Sequence, residues 1–130
     1  MEDLFSVADK VVIVTGASRG IGKAVARGFI ARGAKLVCTA RSVESMAELA
    51  ASAPDRVAVV GCDLAEASEI RQISQMAEER FGRVDVLINN AGTTTVAADP
   101  YQDEANWDLT LQVNLKAAFI LGGAVAKVME

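Results

Sequence analysis

The sequence predicts an α/β fold, a doubly wound parallel sheet with helices on both faces. Three observations predict it. Short runs such as Val11-Val12-Ile13-Val14 are continuously apolar and rich in β-branched residues, the pattern of strands buried on both faces. The stretches between them carry apolar residues at helical spacing. Glycine or proline punctuates the junctions, and strands alternating with helices in this way close by right-handed crossovers into a parallel sheet.

The elements follow in order. After the strand Val11 to Val14 comes the turn Thr15-Gly16-Ala17-Ser18-Arg19-Gly20-Ile21-Gly22. Ile21, Ala24, Val25, Gly28 and Phe29 then fall at helical spacing until Gly33 supplies a stop. Leu36 to Thr39 reads as a second strand. A helix over Val43 to Ala51 ends at Ala53-Pro54-Asp55, because the residue before proline is pushed out of the helical region. Val57 to Cys62 is a third strand, and Ile70, Ile73, Ala77 and Phe81 mark the buried stripe of a third helix closed near Gly82. Val84 to Ile88 is a fourth strand, followed by Asn89-Asn90-Ala91-Gly92. A looser segment, Thr93 to Asp103, leads into a long helix over Glu104 to Met129. No internal repeat, low-complexity tract or linker interrupts this order.

Composition sets the outer limits. At 130 residues, 52% of them apolar and 23% charged, the chain is one globular domain. Thirteen Lys and Arg against 17 Asp and Glu give a net charge of −4, so no broad basic surface is expected to meet nucleic acid or anionic lipid. The absence of histidine excludes imidazole metal sites, Ser-His or Cys-His nucleophile pairs and a histidine pH switch. Cys38 and Cys62 are far apart and read as buried, reduced thiols, against the alternative of a redox or metal role. The acidic start Met1-Glu2-Asp3 lacks the basic beginning of a secretory signal. The longest apolar run, Ala117 to Ala126, is about half of the ~20 residues needed to span a bilayer, so a soluble, cytoplasmic protein is expected.

The glycine turn is the most informative local feature. A strand that ends in glycine and restarts as a helix lets the backbone approach a pyrophosphate closely. The free amides and positive dipole end of that helix then face the anion. The spacing, Gly16-x-x-x-Gly20-x-Gly22, differs from the common G-x-G-x-x-G. The competing reading is a βα turn whose glycines serve packing alone.

Thr15 to Gly22, Asn89 to Gly92 and Val113-Asn114-Leu115 together resemble the short-chain dehydrogenases/reductases, most closely the 3-oxoacyl-carrier-protein-reductase type. The resemblance runs in register from Lys10 to the C-terminus. It implies a Rossmann-type sheet, strand order 3-2-1-4, forming the N-terminal, dinucleotide-binding part of a single domain (residues 1–130) and stopping before a fifth strand. It implies that Gly16, Gly20 and Gly22 lie under a cofactor pyrophosphate, with Ser18, Arg19 and Ile21 at positions that contact phosphate or ribose. Asp63 and Leu64 match the pair beside the adenine ring, and Asn90, Ala91 and Gly92 match the segment that passes the ribose. For Asn90, a buried amide tying adjacent strands is an equal alternative. Asn114 corresponds to a member of the catalytic tetrad that helps hold a water in a proton relay. Its other reading is an amide that bonds a neighbouring loop or distorts the helix, since an unbonded amide among Leu109, Leu111, Val113, Leu115, Phe119 and Leu121 would be costly.

Charge argues the choice of cofactor. NAD-specific members place an acid at the end of the second strand to accept from the adenosine ribose. That position is Ala40 here, and Arg41 follows. A guanidinium attracts a 2′-phosphate that a carboxylate would repel, and Arg19 is placed to close on it from the other side. NADP(H) is therefore expected over NAD(H), the alternative being that both arginines are merely solvated.

The resemblance implies hydride transfer between the cofactor and a small carbonyl or secondary alcohol, in a protein that assembles as a dimer or tetramer. The chemistry would need a serine and a Tyr-x-x-x-Lys pair, the lysine lowering the pKa of the phenol from about 10. The single tyrosine, Tyr101, has Ala105 four residues on. The chain as given is therefore expected to be inactive and, with Leu109, Val113, Phe119, Ile120 and Val125 pointing in several directions and an apolar fourth strand at the edge, to associate. A non-catalytic dinucleotide sensor and an oligomerising interaction module are the readings from other functional classes.

Overall fold

The computed structural model describes residues 3–94, 99, 101 and 103–130. In chain order, β1 (Val11–Thr15) feeds α1 (Gly20–Ala31) and then β2 (Lys35–Ala40). A 3-10 turn at Glu44–Met46 continues into α2 (Ala47–Ser52), followed by β3 (Val57–Gly61), α3 (Ala67–Phe81) and β4 (Val86–Ile88). The last helix is built from α4 (Glu104–Leu111), a π-helical turn (Gln112–Lys116) and α5 (Ala117–Met129). The strands are all parallel and lie in the order β3-β2-β1-β4, as expected.

Period-two alternation along buried strands builds two cores, one on each sheet face. Val11, Ile13 and Val37 pack with Ile70, Ile73 and Ala77 of α3 and Leu121 and Val125 of α5. Val12, Val14, Leu36 and Cys38 pack on the other face with Ala26 of α1 and with Met46 and Leu49 at α2. Gly82 closes α3 in the left-handed conformation at φ +74°, the stop expected there. Both cysteines are buried and free, and burial pushes the Cys38 thiol up to about 12.

Three expectations need correction. The fourth strand is shorter than Val84 to Ile88, because Asp85 joins β1 partly through its side chain. The long helix is interrupted at Gln112–Lys116, where a turn of π-helix inserts the extra residue that such bulges accommodate. Its apolar residues are also sorted differently: Val125 is 1% exposed in the core, whereas Phe119 is 81% exposed. Leu111 and Leu115, not Val125, share that outer face with Phe119. The looser segment from Thr93 to Asp103 falls largely outside the described residues. Taken whole, the helix Glu104–Met129 is 26 residues with a mean hydropathy of 1.4 over an 18-residue window, long and apolar enough to cross a bilayer, unlike the shorter run Ala117–Ala126. Its Ala117-Leu121-Val125 face is instead packed onto α3 and the sheet.

Asp85 fastens the edge strand. Its N–H donates to the Val11 carbonyl at 2.9 Å, and its Oδ2 accepts the Val11 N–H at 2.9 Å. Burial raises the carboxyl pKa, but the Val11 N–H, the Arg83 guanidinium and Lys10 outweigh it and hold the group below 3.8. A pKa lower in the folded than in the unfolded chain means stability present above the unfolded value and lost as pH falls through the folded one. Asp85→Ala should cost about 1–3 kcal/mol in urea unfolding at pH 7, and the gap to wild type should shrink below about pH 4. A gap that does not change with pH would separate Asp85 from acid stability.

Candidate functional site

The C-terminal ends of the strands open into a cleft of about 770 Å³. Sheets of this kind place ligands there, where the strand order reverses. All the expected cofactor-binding positions except Gly22 line it. Gly16, Ser18 and Arg19 come from the turn between β1 and α1, Gly20 and Ile21 from the start of α1, and Arg41 from just after β2. Asp63 and Leu64 come from the loop after β3, and Asn90, Ala91 and Gly92 from the loop after β4.

The turn is shaped by close approach. Gly16 has φ +66°, and a Cβ on it would lie 2.9 Å from Ala91 Cα. Gly22 is buried behind the turn, where a Cβ would meet the Gly16 carbonyl oxygen at 2.1 Å. Its place is structural: it lets α1 start directly against the turn, and it has no surface on the cleft. No side chain caps the N-terminus of α1, and no acidic residue occupies its first turn. The positive end of the helix is thus left uncompensated. Among the described residues, neither the Arg19 nor the Arg41 guanidinium has a hydrogen-bond or ion-pair partner.

A knot of hydrogen bonds joins the turn to the loop after β4. Thr15 Oγ1 accepts the Asn90 N–H at 3.0 Å and the Ala91 N–H at 2.9 Å, and it donates to the Ile88 carbonyl at 3.4 Å. Asn90 Nδ2 donates to the carbonyls of Thr15 at 3.0 Å and Gly16 at 3.3 Å. The strand-tying alternative for Asn90 is therefore realised in the geometry. On the opposite wall, Asp63 Oδ1 accepts the Ala65 N–H at 2.9 Å, and the Asp63 N–H donates to Glu69 Oε2 at 2.9 Å. Burial, with Glu69 and Asp63 nearby, pushes the Cys62 thiol up to about 11, so it remains protonated at neutral pH.

Asn114 sits in the π-turn and clamps one residue of the loop after β4, bonding both of its backbone groups. Its Oδ1 accepts the Thr93 N–H at 2.7 Å, and its Nδ2 donates to the Thr93 carbonyl at 2.8 Å. One donor and one lone pair remain. A hollow of about 20 Å³ beside it, bordered by Thr15, Asn89 and Ala91, has room for a single water. From the same π-turn, Gln112 Nε2 donates to the Leu64 carbonyl at 3.3 Å. Sequence reasoning missed Thr15, Glu69 and Gln112 as site residues. For Thr15 the signal was a hydroxyl at a buried strand end beside Gly16; the other two bond across the sequence and carried none.

The chain matches the family described as short chain dehydrogenase over residues 10–130. It belongs to that family. It is 35% identical over 121 residues to the rhamnolipids biosynthesis 3-oxoacyl-(acyl-carrier-protein) reductase of Pseudomonas aeruginosa, covering 92% of this chain and 47% of that one. It is 36% identical over 114 residues to the NAD(+) 15-hydroxyprostaglandin dehydrogenase of Mus musculus, covering 84% of this chain and 39% of the relative. A metagenomic short-chain oxidoreductase solved in complex with NADP superimposes with a TM-score of 0.86 at 36% identity, over 95% of this chain and 57% of that one. The chain thus spans about half the length of the curated relatives it matches. These relatives place it among the short-chain oxidoreductases.

Removing the knot should be costly within this short-chain fold. Thr15→Val leaves the Asn90 and Ala91 amides without their acceptor and is expected to lose about 2–4 kcal/mol in chemical denaturation, while Thr15→Ser keeps most of it. Equal stability of the valine and serine variants would show that the hydroxyl is not the fastening.

Proposed function

We propose that residues 1–130 form the N-terminal dinucleotide-binding part of a short-chain reductase that favours NADP(H) over NAD(H). The intact protein would interconvert a small carbonyl and a secondary alcohol. The observation that carries this reading is the convergence of four separate sequence segments on one cleft around the uncapped start of α1. The donor set fits a dinucleotide. Backbone amides and a helix N-terminus suit the pyrophosphate. Gly20, at φ +56°, has no atom within 4 Å of where its Cβ would stand, so the backbone is open to a close-lying group. The cleft volume lies within the ordinary range for ligand sites.

When bound, the dinucleotide supplies or takes up the hydride. The chain's own residues bind and orient it. Gly16, Ser18, Gly20 and Ile21 would hold the pyrophosphate, Gly22 allowing the turn its shape. Asp63 and Leu64 would wall the adenine, and Asn90, Ala91 and Gly92 the ribose. Arg19 and Arg41 would close on a 2′-phosphate from opposite sides, where Ala40 offers no carboxylate to repel it. Asn114 would position the Thr93 loop and the single water beside it. Tyr101 is 93% exposed and lies outside the cleft, so it is not placed to exchange the hydroxyl proton, and the chain as given is read as binding without turnover.

The outer face of Leu111, Leu115 and Phe119 supports assembly as a homo-oligomer. A cytoplasmic setting agrees with the free, buried Cys38 and Cys62. Among the proteins compared, the NADP complex favours the phosphorylated cofactor, whereas the mouse relative is named for NAD(+). The arginines decide between them in this reading.

Titration with NADP(H) and NAD(H) by intrinsic or cofactor fluorescence tests it. NADP(H) should bind more tightly, and Ala40→Asp with Arg41→Ala should reverse the preference, weakening NADP(H) by about ten- to a hundredfold, since a charged hydrogen bond contributes roughly 1.5–3 kcal/mol. Equal affinity of the unmodified chain for both cofactors would refute the arginine assignment.

A further inference from the structure

Thr39 is the residue before Ala40 at the end of β2, and neither the sequence pattern nor the cleft's expected ligand set assigns it a role. It is 1% exposed and lines the cleft. Its Oγ1 is the one buried side-chain polar atom among the described residues with no hydrogen-bond partner. Buried hydroxyls are nearly always bonded, so an exception calls for a physical cause.

The neighbours cannot serve it. Thr39 is in register with Thr15 on β1 and with Val60 on β3, and the three side chains share one sheet face. Thr15 Oγ1 already accepts two N–H groups and spends its proton on Ile88. Val60 is apolar, and the rest of that face is the apolar core against α3 and α5. The backbone of Thr39 is engaged as well, its carbonyl accepting the Ala17 N–H at 3.1 Å. The cleft is the remaining side from which a polar partner can come. There Thr39 stands between the glycine turn and Asp63-Leu64, the stretch that takes the adenosine half of a dinucleotide.

We propose that Thr39 is a ligand-recognition residue whose hydroxyl bonds the adenine amine or the ribose 3′-hydroxyl of the adenosine moiety. It rests on the dinucleotide reading. An interior hydroxyl left unpaired in the free protein is unfavourable for the fold, and a bond made on binding recovers that loss, so stability and affinity should respond in opposite directions to its removal.

Thr39→Val keeps the volume and removes the hydroxyl; Thr39→Ser keeps the hydroxyl. In the full chain without nucleotide, Thr39→Val should melt about 3–6 °C higher than wild type. It should bind NADP+ and NAD+ about 3- to 10-fold more weakly, to the same extent for both, because the adenosine group is common to them. Thr39→Ser should bind within about twofold of wild type. A Thr39→Val protein that binds both dinucleotides normally, or that melts lower without ligand, overturns the assignment, since the hydroxyl then serves the fold. A loss confined to NADP+ also overturns it, moving the contact to the 2′-phosphate. If wild type binds neither dinucleotide, the dinucleotide reading itself fails, and Thr39 falls with it.

Discussion

Thr15 ends the central strand with a buried hydroxyl whose hydrogen bonds hold the cleft's two main walls together. Its oxygen takes the amides of Asn90 and Ala91, and its proton goes to Ile88, while Asn90 returns two bonds to the carbonyls of Thr15 and Gly16. These groups lie where two strands have stopped pairing and cannot satisfy one another through a ladder. Left unpaired under the turn, each would lose a hydrogen bond's desolvation balance. With them paired, the glycine turn lies so close to Ala91 that a Cβ on Gly16 would stand 2.9 Å from Ala91 Cα. The position of α1's uncapped end, and so of the cleft's positive pole, follows from that contact.

The second constraint is the sheet's two-sided burial. Because β1 and β2 are covered on both faces, the helices that cover them are fixed in place, and the cleft inherits a rigid floor. The last helix shows what happens where the constraint ends. Its inner face, Ala117-Leu121-Val125, is drawn into the core, whereas Leu111, Leu115 and Phe119, one turn apart, stay outside. The π-turn between the halves lies where Asn114 holds Thr93 and Gln112 holds Leu64, so one distorted turn touches both loops that border the cleft. Such bulges are common at functional sites because they re-aim side chains without ending the helix.

The parallel sheet was legible because its evidence is local: β-branched runs, a glycine stop at Gly82 and a proline at Pro54 each act within a few residues. Strand order followed from the resemblance of three short motifs and matched the structure. Of the residues named from sequence, Gly16, Arg19, Gly20 and Arg41 do line one cleft. The site was not legible where a bond spans distant sequence. Asp85 and Val11 are 74 residues apart; for Asn90, 75 residues from Thr15, the strand-tying role was expected but not its partner. The π-turn was legible only as the second reading of Asn114, an amide that bonds a neighbouring loop or distorts the helix; both occur, although Val-Asn-Leu gives no local signal for an inserted residue. Gly22 was placed in the turn by the resemblance, and the 2.1 Å approach of a Cβ there to Gly16 O shows its part in the helix–turn contact.

Net charge and local charge disagree in this molecule, and the local arrangement governs what the cleft can hold. The chain carries −4 overall, which argues against anionic partners on its broad surface. Inside the cleft the balance reverses. The Asp63 carboxylate spends one oxygen on the Ala65 amide, and Glu69 is turned to the Asp63 N–H, so both acids are bonded to the backbone. Arg19 at the N-terminus of α1 and Arg41 just after β2, with no partners among the described residues, line the same cleft. Elsewhere Arg27 pairs with Glu48 and Arg83 with Asp85, whereas Arg71 on α3, like Arg19 and Arg41, has no side-chain partner among the described residues. Charged interactions fade beyond about 8–10 Å in physiological salt, so an anion within the cleft is governed mainly by these near groups and little by the distant surface acids. An acidic protein can therefore present a site for a polyanionic ligand, provided the cations lining one cleft are left unpaired and its nearby acids are bonded to the chain.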